Sequence, residues 1–158
     1  MNKKTRIYVD TSVIGGCFDP EFELWSNGLF KDFKIGIFSP VVSEIVTAEI
    51  ADAPEEVILK YGELLNYSPE ILELNDEVFD LANVYINRKI LSENFLDDAR
   101  HIAFATVFEV DLLVSWNFRH IVHYDKIRMF NSINLEFNYK QISIYSPREV
   151  TKHGNEDY

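Results

Sequence analysis

Four oxygen-bearing side chains in this sequence fall where a folded chain could gather them: Asp10, Glu49, Asp98 and Asn117. Asp10 closes the apolar run "RIYV" and opens "DTS", so one carboxylate stands directly before two hydroxyls. An acid placed there is either a turn-former that caps the next element or the first ligand of a site at the carboxyl edge of a sheet. Asn117 ends "DLLVSWN" in the same manner, Asp98 lies near the start of the apolar segment before it, and Glu49 lies one helix past the second predicted strand. Hard oxygen ligands of this kind suit Mg²⁺ or Mn²⁺, which keep waters able to attack a phosphoryl group and stabilise the charge that develops. Metal-assisted phosphodiester hydrolysis is the chemistry that such a cluster offers.

The elements that must position these groups follow from pattern. "RIYVD", "KIGIFSPVV", "PEILEL", "DLLVSWN" and "QISIYSPREV" read as strands, each rich in β-branched or aromatic residues and bounded by polar or turn residues. Between them, Ser43 is placed to cap a helix carrying Ile45, Val46, Ala48 and Ile50, and Pro54 suits the first turn of a helix carrying Val57, Ile58, Tyr61, Leu64 and Leu65. A further helix is expected from about Asp76, with Val78, Leu81, Ala82, Tyr85 and Ile86 on one face. "NFLDDARHIAFATVFEV" is apolar almost all round beyond its start, as a helix between layers must be, and "DKIRMFNSINLEF" is also read as helical. Strands alternating with helices imply a mostly parallel sheet covered on both faces.

Composition narrows the class. A chain of 158 residues with 47% hydrophobic content and sparse Gly and Pro is one globular domain with a full core. A single cysteine, Cys17, excludes an internal disulfide and multi-cysteine zinc sites, which favours the cytoplasm. The opening "MNKKTRIYVD" has a basic start with no long apolar region behind it, so neither secretion nor membrane spanning is expected. The net charge of −11 argues against a protein that holds nucleic acid by electrostatics alone. It leaves a nuclease open, because acids around a metal carry charge that the cation offsets, and a basic partner segment could mask more.

Three segments in register, "YVDTSVIGG", "VVSEIVTAEI" and "DDARHIAFATVFEVDLLVSWNFRHI", resemble the PIN-domain nucleases, the group that includes the VapC-type toxins of bacterial toxin–antitoxin systems. The similarity runs through nearly the whole chain, and the "SWNFRHI" form resembles a subset of that family. The resemblance implies an α/β fold, a three-layer α/β/α sandwich around a mostly parallel sheet, as one PIN-like domain over residues 1–150 with a polar tail over 151–158. It implies a Mg²⁺- or Mn²⁺-dependent ribonuclease acting on RNA and held by an antitoxin protein, and the apolar early helices add the expectation of a homodimer. Asp10 matches the first acid, Ser12 the hydroxyl that orients it and Asp98 the acid on the late helix. Asn117 stands where many PIN nucleases carry a fourth acid, and its amide oxygen can still accept from a metal-bound water.

For the second acid, "SEIVTAE" offers both Glu44 and Glu49. At 100° per residue, Glu49 lies roughly 40° from Ile45 and roughly 60° from Val46, inside the apolar arc, while Glu44 lies about 140° from Glu49. Glu44 also sits in the first turn, where an acid favours the helix dipole without further role. Glu49 is therefore the expected ligand. By the same logic, with Asn94 as helix cap, Asp97 reaches back to the cap amide while Asp98 shares a face with His101 and Ile102. His101 reads as a satisfied, partly buried histidine, Trp116 as core beside the strand, and Arg119 and His120 as rim residues able to contact a phosphate. Two other functions fit less well: a binding module on the same scaffold, with Asn117 marking a weakened site, and a phosphoacceptor receiver domain, which would need a lysine at the end of a late strand.

Overall fold

A computed structural model describes residues 3–154. Among the described residues the sheet has five strands, all parallel, in the order β3-β2-β1-β4-β5. They are β1 (Thr5–Val9), β2 (Phe38–Ser43), β3 (Glu70–Leu72), β4 (Leu112–Val114) and β5 (Ile144–Tyr145). The helices are α1 (Thr11–Gly15), α2 (Glu23–Lys34), α3 (Glu44–Ala51), α4 (Glu55–Leu65), α5 (Asp76–Asn87), α6 (Leu96–Val107), α7 (Tyr124–Glu136) and α8 (Pro147–Val150). Right-handed crossovers put α1 to α4 on one face and α5 to α7 on the other, which completes the expected three-layer α/β/α sandwich. Among the described residues no helix is long and apolar enough to cross a membrane.

The central strands are buried on both faces, with Ile7, Tyr8, Val9, Val41, Val42, Leu113 and Val114 all inaccessible. Strand order changes direction between β1 and β4, so the crevice beyond their carboxyl ends is the switch point at which open α/β sheets collect ligands. Asp10 and Asn117 both lie there.

Several local expectations differ from what folds. Ser43 precedes α3 but its hydroxyl caps nothing, and it turns instead to Tyr8 Oη at 2.7 Å. Asn94 is not a cap either: residues Glu93–Phe95 form a 3-10 turn, α6 starts at Leu96, and Asp97 lies 3.6 Å from Arg100. The last strand shrinks to two residues because Ser146 and Glu149 form a reciprocal capping box that starts α8. The second strand begins only at Phe38, because Gly36, at φ +82°, terminates α2 in a conformation that a side chain would strain.

The segment read as a polar tail is docked through residues 151–154. Asp32, fully buried on α2, accepts from Thr151 Oγ1 at 2.7 Å, from the Lys152 amide at 2.9 Å, and pairs with His153 Nδ1. A chain ending at Val150 leaves this carboxylate without three of its partners. We expect it to lose about 1–3 kcal/mol and to melt several degrees lower in calorimetry. An unchanged melting temperature would show that the contacts contribute nothing.

Candidate active site

The site grows from one buried acid. Asp10 is 4% exposed, at the end of the central strand β1, where its side chain caps α1 through the Val13 amide at 3.3 Å. Oδ1 also accepts from Ser12 Oγ at 2.6 Å, and Oδ2 accepts from Ser115 Oγ at 2.5 Å. Each of these hydroxyls accepts in turn from the loop after β4: the Trp116 amide donates to Ser12 Oγ and the Asn117 amide to Ser115 Oγ, both at 2.9 Å. The "DTS" and "SWN" stretches are thus interlocked around one carboxylate. Burial raises the Asp10 carboxyl above its ordinary range, opposed by His101 and by the three donors.

Glu49 enters from α3. Its Oε1 accepts from Thr11 Oγ1 at 3.0 Å and from His101 Nε2 at 2.7 Å, and although burial opposes ionisation, these contacts hold the carboxyl below its usual range. Glu44, on the other side of the helix, accepts from the Leu74 amide at 2.8 Å and serves the loop after β3. Asp98 enters from α6, half-buried. Burial, with Asp10 and Glu49 adding repulsion, pushes its carboxyl up to about 6, against the opposing effects of His101 and a hydrogen bond from the Asn117 side chain. Asn117 Oδ1 accepts from the His120 amide at 2.9 Å. That bond fixes the amide orientation, so the group Asn117 turns toward Asp98 is its NH₂ donor.

His101 is nearly inaccessible and bonded at both nitrogens, with Nδ1 2.7 Å from Tyr8 Oη. Sequence reasoning recognised it as satisfied but missed that its partner is Glu49. It also missed Thr11, Ser115, Tyr8 and Ser43, which carry no signal until the strands are paired. Of the rim residues, Arg119 is exposed, whereas His120 is buried with its ring centroid 3.9 Å from that of Phe95 and its Nδ1 without a hydrogen-bond partner. Trp116 is core, as expected, stacked on Phe22 at 4.1 Å. Phe118 packs on both rings and remains 49% exposed, so aromatic surface does border the site. Cys17 is buried and its thiol is pushed up to about 12, which suits no nucleophile.

As placed, no three His, Cys, Asp or Glu side chains among the described residues form a group able to hold a metal ion. The donor set nevertheless suits a hydrated hard cation, because Mg²⁺ and Mn²⁺ are commonly held by one or two carboxylates and otherwise through their own waters. Charge agrees: Asp98 is repelled by both other acids, and among the groups acting on it His101, when protonated, is the one of opposite sign.

No family model and no curated protein matches the chain. Solved structures do. A chain of VapBC2 from Rickettsia felis, bound to a DNA fragment from its promoter, superposes with a TM-score of 0.54 at 12% identity, over 90% of this chain and 98% of that one. A chain of VapBC-1 from nontypeable Haemophilus influenzae superposes with a TM-score of 0.56 at 13% identity, over 91% and 99%. The chain has the PIN-domain fold of the VapC proteins. Within that fold the acids Asp10, Glu49 and Asp98 project from β1, α3 and α6 onto the carboxyl edge of the sheet.

The elevated Asp98 carboxyl makes a signed prediction for this VapC-like fold. The folded state holds the Asp98 proton up to about pH 6, whereas the unfolded chain releases it near its ordinary value of 3.8. The contribution is therefore favourable at low pH and lost as pH rises through that window. Discounted for its partial solvent contact, it amounts to about 1–2 kcal/mol. Asp98→Asn should remove it, so denaturation of the metal-free protein is expected to show the variant gaining on the parent between about pH 4 and pH 6. A difference that stays constant over that range would contradict the raised Asp98 carboxyl, whose cause is burial with the repulsion added.

Proposed function

We propose that this chain is a metal-dependent endoribonuclease of the PIN type, acting in the cytoplasm as the toxin of a type II toxin–antitoxin pair. The observation that carries the reading is the meeting of Asp10, Glu49 and Asp98 at the switch point of a VapC-like sheet, with His101 the counter-charge among them. In this reading Asp10, Glu49 and Asp98 hold a Mg²⁺ or Mn²⁺ ion and Asn117 lies beside them. The ion, when bound, supplies an activated water and stabilises charge at the phosphate.

The chain's own groups prepare that site. Ser12, Ser115 and the Val13 amide keep Asp10 ionisable in spite of its burial. The Asn117 amide turns a donor to Asp98 and so steers which of its lone pairs remain free. Arg119, exposed two residues beyond, is placed to contact a substrate phosphate, and the buried His120 supports that turn through its backbone amide.

With a net charge of −11, the body supplies little general attraction for RNA, so affinity must come from the ion and a few local contacts. The same acidity suits a basic antitoxin segment, whose cationic side chain would take the ion's place among the acids. The solved neighbours are themselves VapBC assemblies, which supports that partner. Exposed Phe18 and Leu24, just before α2 and at its start, offer apolar surface to such a segment or to a second copy in a homodimer. A second reading, a weakly active RNA- or protein-binding scaffold, is favoured by Asn117 alone, which brings a neutral donor where an acid would add charge.

Purified protein is expected to cleave RNA only with Mn²⁺ or Mg²⁺. Asp98→Asn and Glu49→Gln should each lose at least about a hundredfold in rate, as removal of one charged group from such a site does. Glu44→Gln should cleave like the parent, because the oxygen it keeps can still accept from the Leu74 amide. Expressed alone in bacteria, the parent should slow growth and Asp98→Asn should not. Metal-independent cleavage, or an inactive Glu44→Gln beside an active Glu49→Gln, would overturn the assignment.

A further inference from the structure

The Glu49 carboxylate is held by a chain of hydrogen bonds that crosses the sheet. Ser43 Oγ lies 2.7 Å from Tyr8 Oη, Tyr8 Oη lies 2.7 Å from His101 Nδ1, and His101 Nε2 lies 2.7 Å from Glu49 Oε1. Ser43 and Tyr8 are fully buried and His101 is nearly so, so every one of these groups must be satisfied by its neighbour. The chain joins β2, β1, α6 and α3. It is the contact by which the two helical layers meet at the site.

Donor and acceptor roles along it are determined. A carboxylate can only accept, so Nε2 carries the hydrogen toward Glu49. If His101 is neutral, Nδ1 accepts from Tyr8, and Ser43 donates to Tyr8. If His101 is charged, Nδ1 donates to Tyr8, and Tyr8 donates to Ser43. The His101–Tyr8 and Tyr8–Ser43 bonds reverse together, and two hydroxyls can serve in either direction. The donor facing Glu49 is the same in both states.

Lone pairs on Glu49 are then divided unequally. Oε1 accepts from both His101 Nε2 and Thr11 Oγ1, while Oε2 has no protein partner among the described residues. Thr11 lies between Asp10 and Ser12, so "DTS" serves two acids: Ser12 donates to Asp10, and Thr11 donates to Glu49. We propose that His101, with Thr11, is a positioning residue that occupies Glu49 Oε1 and thereby presents Oε2 as the oxygen that meets the divalent ion or one of its waters. This rests on the reading of Asp10, Glu49 and Asp98 as the metal-holding acids. It assigns to His101 a role that its burial alone would not require, since a buried histidine can be satisfied by Tyr8 and any backbone carbonyl.

Two amide replacements separate positioning from packing. A glutamine amide reaches to about the place of Nε2, and an asparagine amide to about that of Nδ1. His101→Gln therefore keeps a donor for Glu49, and His101→Asn keeps a partner for Tyr8 but withdraws from Glu49. Mn²⁺ affinity of the full chain without RNA, measured by electron paramagnetic resonance, is expected to fall about tenfold or more in His101→Asn, as loss of an outer partner does at metal sites. It should stay within about threefold of the parent in His101→Gln, while both variants melt lower by similar amounts. Thr11→Val, which leaves the core intact, should weaken Mn²⁺ measurably and serves if His101→Asn does not fold. Parent-like affinity in His101→Asn, or in Thr11→Val where that variant stands in, overturns the positioning role and leaves the metal site standing. Equal weakening in both amide variants overturns it in favour of packing, and a parent that binds no Mn²⁺ overturns the metal site and the inference together.

Discussion

A carboxylate with almost no access to water has to be satisfied by the protein, and Asp10 is that carboxylate. Isolated, an ionised acid in such a place would cost several kcal/mol or more, and the group would neutralise instead. Ser12, Ser115 and the Val13 amide supply three donors, and the two serines accept from the backbone of the next loop. The ends of β1 and β4 are thereby locked in register by polar contacts as well as by the ladder between Tyr8 and Leu113. What looks like a catalytic motif at each strand end is also the fastening between the two strands on either side of the switch point. The two roles cannot be separated, because the donors that make burial tolerable also keep the carboxyl within reach of ionisation.

The second constraint is that the site draws its acids from both helical layers. Glu49 comes from α3 on one face and Asp98 from α6 on the other, so their separation depends on how the layers close over the sheet edge. His101 spans that junction. Its positive character is favoured by all three acids, which raise its proton affinity against the opposing effect of burial. It thus offsets part of the repulsion that, after burial, raises the Asp98 carboxyl. An acidic cluster on which, among the described residues, one histidine is the positive group seen to act is short of positive charge, which is the electrostatic condition for a cation or a basic side chain to be held there.

Legibility in the sequence divides along contact range. The places of Asp10, Glu49 and Asp98 were legible because strand endings and helix phase are carried by local pattern, and helix phase alone put Glu49 and Glu44 on different sides of α3. The strand count and the parallel architecture were likewise set by alternation of elements. What failed were local caps outbid by distant partners: Ser43 gives its hydroxyl to Tyr8, 35 residues away. Asn94 falls in a 3-10 turn, and Phe95, the residue that does precede α6, packs its ring on His120. The docking of residues 151–154 could not be read either, since its receptor, Asp32, looks like one more acid on an amphipathic helix until α2 and the C-terminal segment are brought together. The aromatic cluster of Phe22, Trp25, Trp116 and Phe118 is another case, assembled from segments more than 90 positions apart.

Asn117 shows how far residue type alone can mislead about a site. As a replacement for an acid it reads as a loss of charge, with an oxygen left over for a metal-bound water. In the fold that oxygen accepts from the His120 amide, and the nitrogen faces Asp98. A carboxylate in the same place would satisfy the His120 amide equally well but would turn another negative charge toward an acid already raised by burial and by two others. The amide instead gives Asp98 a donor and lowers its carboxyl. Asn117 therefore tempers the repulsion in the metal-free protein, whereas an aspartate there would call for a cation or a shared proton between it and Asp98.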